Sequence, residues 1–147
     1  MFTPATRRSA TPADRFELRL RVRPEDIDEL GHVNNVVYLR WVQDAAVAHW
    51  RAAAAPADQE SLRWVVIRHE IDYKRPAMPQ EELVAATWVG AASRLSFERH
   101  TELRRAADGK VLAVARTLWC PIDARTGKPT DVSGAVRARF STPAFPG

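Results

Sequence analysis

The sequence predicts an α+β fold in which an antiparallel sheet of about five strands wraps around one long central helix. Three observations predict it. Residues 34–55 carry apolar side chains at helical spacing over most of the helix circumference. One β-like segment precedes this helix and four follow it, without the strand–helix alternation a doubly wound sheet needs. The chain has 147 residues, 46% of them apolar, which suits a single domain with a full core and is too apolar for a disordered chain.

The elements follow in order. Residues 1–15 hold Pro4 and Pro12 among Thr, Ser and Ala, and read as a flexible leader. The single domain is expected over 16–140. Phe16, Leu18, Leu20 and Val22 alternate with Glu17, Arg19, Arg21 and Arg23, a strand with one dry and one wet face that Pro24 closes. A polar turn region around Gly31 leads into the helix. There Val37, Trp41, Ala45 and Ala48 repeat at helical spacing beside Val42, Ala46 and Trp50, and Pro56 ends the run. Trp64–Tyr73, Leu83–Val89, Leu95–Leu103 and Val111–Cys120 read as strands, with Asp108-Gly109 turning the last pair into a hairpin. Thr126-Gly127-Lys128-Pro129 is a further turn, and Asp131 is placed to cap a short helix carrying Val136 and Phe140. Residues 141–147, with Pro143 and Pro146, read as an irregular tail.

Composition narrows the function classes. A net charge of +4 permits acidic and phosphorylated ligands, but the basic residues are dispersed and no nucleic-acid-binding motif occurs, so no nucleic-acid partner is expected. No apolar run is long enough to span a membrane, and no secretory signal is visible. The lone Cys120 cannot form an internal disulfide, which points to the cytoplasm. His49, His69 and His100 show no zinc-like spacing, so no metal site is expected and these are read as structural or surface residues. Gly-x-Gly-x-x-Gly and Gly-x-Ser-x-Gly strings are absent.

The stretch that carries chemistry runs from Arg23 to Tyr38, between the first strand and the helix. The first turn of a helix exposes backbone N–H groups at its positive dipole end and can receive an oxygen that is becoming negative. Asp28, held beside it, could attack a carbonyl or activate water, and Gly31 would let a ligand approach the backbone. Four acids sit here, Glu25, Asp26, Asp28 and Glu29, and an acid before a helix is also an ordinary cap. Spacing alone leaves both readings open.

Asp28-Glu29-Leu30-Gly31-His32-Val33-Asn34-Asn35, followed by Tyr38, Leu39 and Trp41, resembles the signature of hotdog-fold acyl-CoA thioesterases of the 4-hydroxybenzoyl-CoA thioesterase-like group. The resemblance continues in Ile71–Ala77, Ser93–Glu98 and Asp123–Pro129, and covers about Phe16 to Phe140. It implies hydrolysis of an acyl-CoA or acyl-carrier-protein thioester to free acid and thiol. Asp28 would be the essential acid, as nucleophile or general base, and the Asn35 amide would polarise the thioester carbonyl. The resemblance also implies that coenzyme A enters only as part of the substrate, with no other cofactor, and that the active assembly is a homo-oligomer, dimer or tetramer, with a site lined by both chains. Leu30 stands where related acyl-carrier-protein thioesterases place asparagine, so no role for His32 is taken from them.

Further substrate contacts are expected from Gly31, His32, Val33 and Tyr38 around the acid, from Arg75 at the phosphates, and from Ser93 and Arg94 at the nucleotide end. Each has a plainer reading: turn for His32, core for Tyr38, solvated surface for the charged residues. The alternative function is a non-catalytic acyl-CoA-binding hotdog domain; a hydratase is disfavoured because its histidine–aspartate dyad is absent. A curled sheet leaves open edges, which are usually covered or paired, so edge-to-edge association is expected on physical grounds too.

Overall fold

The computed structural model describes residues 15–140; the expected tail over 141–147 and all of the leader except Arg15 lie outside them. The elements are β1 (Arg15–Arg21), α1 (Asn35–Ala53), α2 (Pro56–Ser61), β2 (Leu62–Tyr73), β3 (Glu82–Ala92), β4 (Phe97–Arg105), β5 (Val111–Asp123) and α3 (Gly134–Arg139). A short 3₁₀ turn, Pro24–Asp26, follows β1. The five strands form one sheet in the order β1-β3-β4-β5-β2, every pair antiparallel. The expected α+β architecture is therefore present: one five-stranded antiparallel sheet and one long helix.

Helix α1 supplies the centre of the core. Val37, Tyr38, Trp41, Val42 and Ala45 join Leu83, Ala85, Leu103, Leu112 and Ala113 from the sheet in one buried cluster. The alanines are small because the helix lies close against the strands; Ala45 is wholly buried. A second cluster gathers around the C-terminal end of α1, where Ala53 meets Leu62, Phe97, Val136 and Phe140. The molecule thus has two ends. Arg21, Glu82, Tyr73 and the N-terminus of α1 share one; Leu62, Ala92, Phe97, Asp123 and α3 share the other. The nineteen residues of α1 separate them by about 28 Å.

Several boundaries differ from the sequence reading for local reasons. Pro56 does not simply end α1; α1 stops at Ala53 and Pro56 opens α2 at its first turn, where the missing N–H costs nothing. β5 runs past Cys120 to Asp123. Pro121 is tolerated there because β4 has already ended opposite Trp119, so one flank of β5 needs no ladder hydrogen bond. β4 starts at Phe97 rather than Leu95, since Ser93 and Ser96 close a turn through Ser93 N–H to Ser96 O at 2.8 Å. The last helix is capped by Ser133, whose Oγ accepts from Val136 N–H, and not by Asp131. Asp131 instead accepts from Val132 N–H and from Arg137.

The two sheet edges contrast. β1 presents Glu17, Arg19 and Arg21 to solvent, charges that discourage further pairing. β2 exposes Val65 and Ile67, 51% and 58% accessible, with a bulge at Ile67.

Candidate active site

The loop between β1 and α1 is built by two aspartates with different duties. Asp26 is 1% exposed; its Oδ2 accepts from Arg23 N–H at 2.9 Å and its Oδ1 from Arg40 Nη2 at 3.0 Å. Its carbonyl also accepts from Asn34 N–H, which ties the loop to the head of α1. Asp26 is spent on holding the loop.

Asp28 is half-buried, and its Oδ1 accepts from the backbone N–H groups of Leu30 (2.9 Å) and His32 (3.3 Å). Its Oδ2 makes no hydrogen bond among the described residues. One oxygen therefore fixes the turn while the other remains available. Asp28 N–H donates to His32 O, Gly31 N–H donates to Asp28 O, and Ile27 bridges Val33, which closes a tight loop. Gly31 has φ +81, a left-handed conformation that glycine adopts without strain. A Cβ on Gly31 would meet nothing within 4 Å, so the turn, and not close packing within this chain, requires glycine here.

Asn34 caps α1, its Oδ1 accepting from Val36 N–H at 2.9 Å. Asn35 is the first helical residue, and its N–H has no acceptor within the helix. Tyr73 Oη donates to Asn35 O at 3.3 Å, anchoring this end of α1 to β2. An available carboxylate oxygen, a capped helix start and an unspent amide thus share one short loop.

The other expected contacts divide. His32 is exposed on the same loop. Val33 and Tyr38 do not face solvent; they are 3% and 2% exposed and pack in the core. The Tyr38 hydroxyl accepts from Ala77 N–H at 2.8 Å, and burial pushes its ionisation up, so it stays protonated. Core packing accounts for both side chains. Arg75 lies at the Asp28 end, exposed, donating through Nη1 to Val111 O. Ser93 and Arg94 lie at the opposite end, where their carbonyls accept from Arg137 of α3. Within one chain, then, Ser93 and Arg94 stand a helix length from Asp28.

A family model described as the thioesterase-like superfamily matches residues 22–140, most of the chain and the whole of this loop. The chain belongs to the thioesterase-like superfamily. The long-chain acyl-CoA thioesterase FadM of Escherichia coli (strain K12) is 24% identical over 133 residues, 85% of this chain and 96% of that protein. A thioesterase from Thermus thermophilus, solved with coenzyme A and Zn, superposes with a TM-score of 0.74 at 26% identity, covering 84% of this chain and 90% of that one. A 1,4-dihydroxy-2-naphthoyl-CoA thioesterase from Synechocystis has a TM-score of 0.75 at 18% identity, over 86% of this chain and 96% of that one, a likeness of fold. The fold is the hotdog fold of these thioesterases, and thioester hydrolysis is the reaction of the enzyme family to which the chain belongs.

An apolar cavity suited to an acyl group lies away from the Asp28 loop. A cavity of about 310 Å³ sits at the other end of α1, walled by Trp50, Trp64, Phe97, Trp119 and Phe140. Arg99 also lines it and is almost wholly buried. Its Nη1 donates to His49 Nδ1 (2.9 Å) and Thr87 Oγ1 (3.1 Å). Burial lowers the Arg99 pKa to about 10, which still leaves it charged at neutral pH. Sequence reasoning singles out neither Arg99 nor His49 as functional. The signal is present in β4, where Phe97, Arg99, Thr101 and Leu103 share the inward phase and set a cation among core positions. Among the described residues no group of three or more His, Cys, Asp or Glu side chains is arranged to hold a metal ion, and no helix is long and apolar enough to cross a membrane.

Proposed function

We propose that this protein is an acyl-CoA thioesterase that works as a homo-oligomer, the catalytic loop of one subunit facing the apolar cavity of another. The observation that carries the reading is the Asp28 carboxylate, with Oδ1 clamped by two backbone amides and Oδ2 unspent, just ahead of the free Asn35 N–H. The Asn35 amide, at the positive end of α1, would stabilise the oxyanion that forms when the thioester carbonyl is attacked. Asp28 Oδ2 then acts by one of two routes. As nucleophile it bonds to the acyl carbon, CoA leaves as thiolate, and water cleaves the resulting anhydride. As general base it takes a proton from the attacking water and returns it to the departing sulfur. Label found in the Asp28 side chain after a single turnover in ¹⁸O-water identifies an anhydride cleaved at its aspartyl carbonyl, because the general-base route places the label only in the free acid.

The unpaired β2 edge supports the oligomer. Antiparallel pairing of β2 with its own copy about a two-fold axis brings the Tyr73 end of one chain to the Leu62 end of the other. Asp28 and Asn35 then face the partner's aromatic cavity, and Ser93 and Arg94 come within the same neighbourhood. Exposed Val65 and Ile67 become buried in the process. Arg75, exposed at the Asp28 end, is suited to the phosphates of CoA. The single cysteine suits a reducing cytoplasm. The mechanism assigned to Asp28 calls on no cofactor besides the CoA of the substrate.

Steady-state hydrolysis of an acyl-CoA panel by wild type and Asp28→Ala tests the reading. Wild type is expected to hydrolyse at least one member, and the variant to lose activity by about 10²–10⁴-fold. Equal rates from both proteins would reduce Asp28 to a turn residue.

A further inference from the structure

The cavity at the C-terminal end of α1 has an electrostatic character that an apolar acyl pocket does not need. Its lining contains three arginines, Arg51, Arg63 and Arg99, and no aspartate or glutamate. Arg51 and Arg63 are exposed at the margin, whereas Arg99 is 7% exposed on the inward face of β4. Among the described residues no carboxylate lies within ion-pair distance of Arg99. Its partners are neutral acceptors, His49 Nδ1 and Thr87 Oγ1, and both are taken by Nη1. Nε and Nη2, the side-on pair of the guanidinium fork, have no acceptor among the described residues. Buried cations are ordinarily paired with an anion, so this one is set up to receive an anion from outside the described residues.

A second, independent observation lies in the same wall. Trp119 is only 9% exposed, lines the cavity, and its indole N–H has no hydrogen-bond partner among the described residues. The Trp64 N–H, also in the wall, is likewise buried and unpaired. Buried indole N–H groups normally find an acceptor. The wall therefore combines unspent donors, one deep positive charge and large apolar surface.

We propose that this cavity binds an amphipathic carboxylate, with the carboxylate on the free fork of Arg99 and the apolar body against Trp50, Trp64, Phe97, Trp119 and Phe140. The fork geometry selects a planar, two-oxygen anion. The modest volume, at the low end for small-ligand sites, selects a medium-length or aromatic acid over a long chain. Two sources share this chemistry: a free carboxylic acid, or the distal carboxylate of a dicarboxylic monothioester. The binding proposal stands apart from the thioesterase reading, since it needs no hydrolysis.

The test titrates the full chain at pH 7.5 with octanoate and with neutral octanamide, read by tryptophan fluorescence and calorimetry. Octanoate is expected to bind at least about tenfold more tightly than the amide, a preference that Arg99→Met abolishes and Arg99→Lys partly retains. Trp119→Phe, which keeps an aromatic ring and removes the N–H, is expected to weaken octanoate by a few-fold. Equal binding of acid and amide by wild type, or binding of neither, overturns the proposal, and this comparison needs no variant to fold. An unaltered octanoate affinity in a folded Arg99→Met protein also overturns it. A second arm compares kcat/KM for suberyl-CoA and octanoyl-CoA. A wild-type preference for the suberyl thioester that Arg99→Met removes identifies the distal carboxylate as the ligand; Arg99-dependent octanoate binding without that preference identifies the free acid. If no thioester is hydrolysed, the thioesterase reading fails while the titration still decides this one.

Discussion

Asp26 and Asp28 stand two residues apart, and their hydrogen bonds set opposite expectations for the same substitution. Asp28→Asn keeps Oδ1 as an acceptor for Leu30 and His32, so the turn persists, while an amide replaces the unspent carboxylate oxygen. The expected outcome is a kcat lower by about 10²–10⁴-fold with stability within about 0.5 kcal/mol of wild type, checked by kinetics and chemical denaturation. Asp26→Ala strips acceptors from Arg23 N–H and Arg40, and should cost about 1–3 kcal/mol of stability. Gly31→Ala should cost about 1 kcal/mol through its positive φ alone. The motif distinguished the two acids in the sequence only through family resemblance. Spacing could not, because both precede the helix and both carry the same charge. Val33 and Tyr38 illustrate the complementary difficulty. Their place in the motif suggested substrate contact, yet both side chains pack into the core.

At the level of elements, the strand–helix–four-strand order was legible from periodicity, because the alternation in β1 and β4 and the apolar girth of α1 each reflect what the element packs against. The ends were less legible. Pro56 and Pro121 coincide with element ends in the sequence reading, whereas a helix first turn and an unpaired strand flank each tolerate a missing N–H. Asn34→Ala removes the cap of α1 and should destabilise the protein by about 1 kcal/mol, measurable by thermal or urea unfolding. The β2 edge carries a sharper expectation. Ile67→Glu places a charge in the proposed pairing edge and should yield a folded monomer by sedimentation at micromolar concentration, with activity lost alongside. A variant that stays oligomeric and active would show that β2 is not the pairing edge.

For the whole molecule, acid stability follows from where the titrating groups sit. Burial lowers the His69 pKa below its ordinary 6.5. The unfolded chain then takes up that proton first, so stability is full above pH 6.5 and declines as pH falls below it. Burial alone would raise the Glu98 pKa, but hydrogen bonds from Arg116 and His100, with their charges, hold it below its ordinary 4.5. That contribution is present above pH 4.5 and disappears as pH falls through the lowered folded value. Unfolding measured between about pH 3 and 8 should therefore weaken in two steps, the upper one flattened by His69→Gln and the lower one by Arg116→Met. The sequence by itself determined the element order, the fold class and the loop that carries Asp28, because these depend on short-range periodicity and on a contiguous motif. Only the tertiary structure decided that Ser93 and Arg94 lie a helix length from that loop, and that Arg99, His49 and Thr87 meet beneath an aromatic cavity. Those relations join residues fifty or more positions apart or bring neighbouring strands together, and they exist only once the strands have paired and closed over the helix.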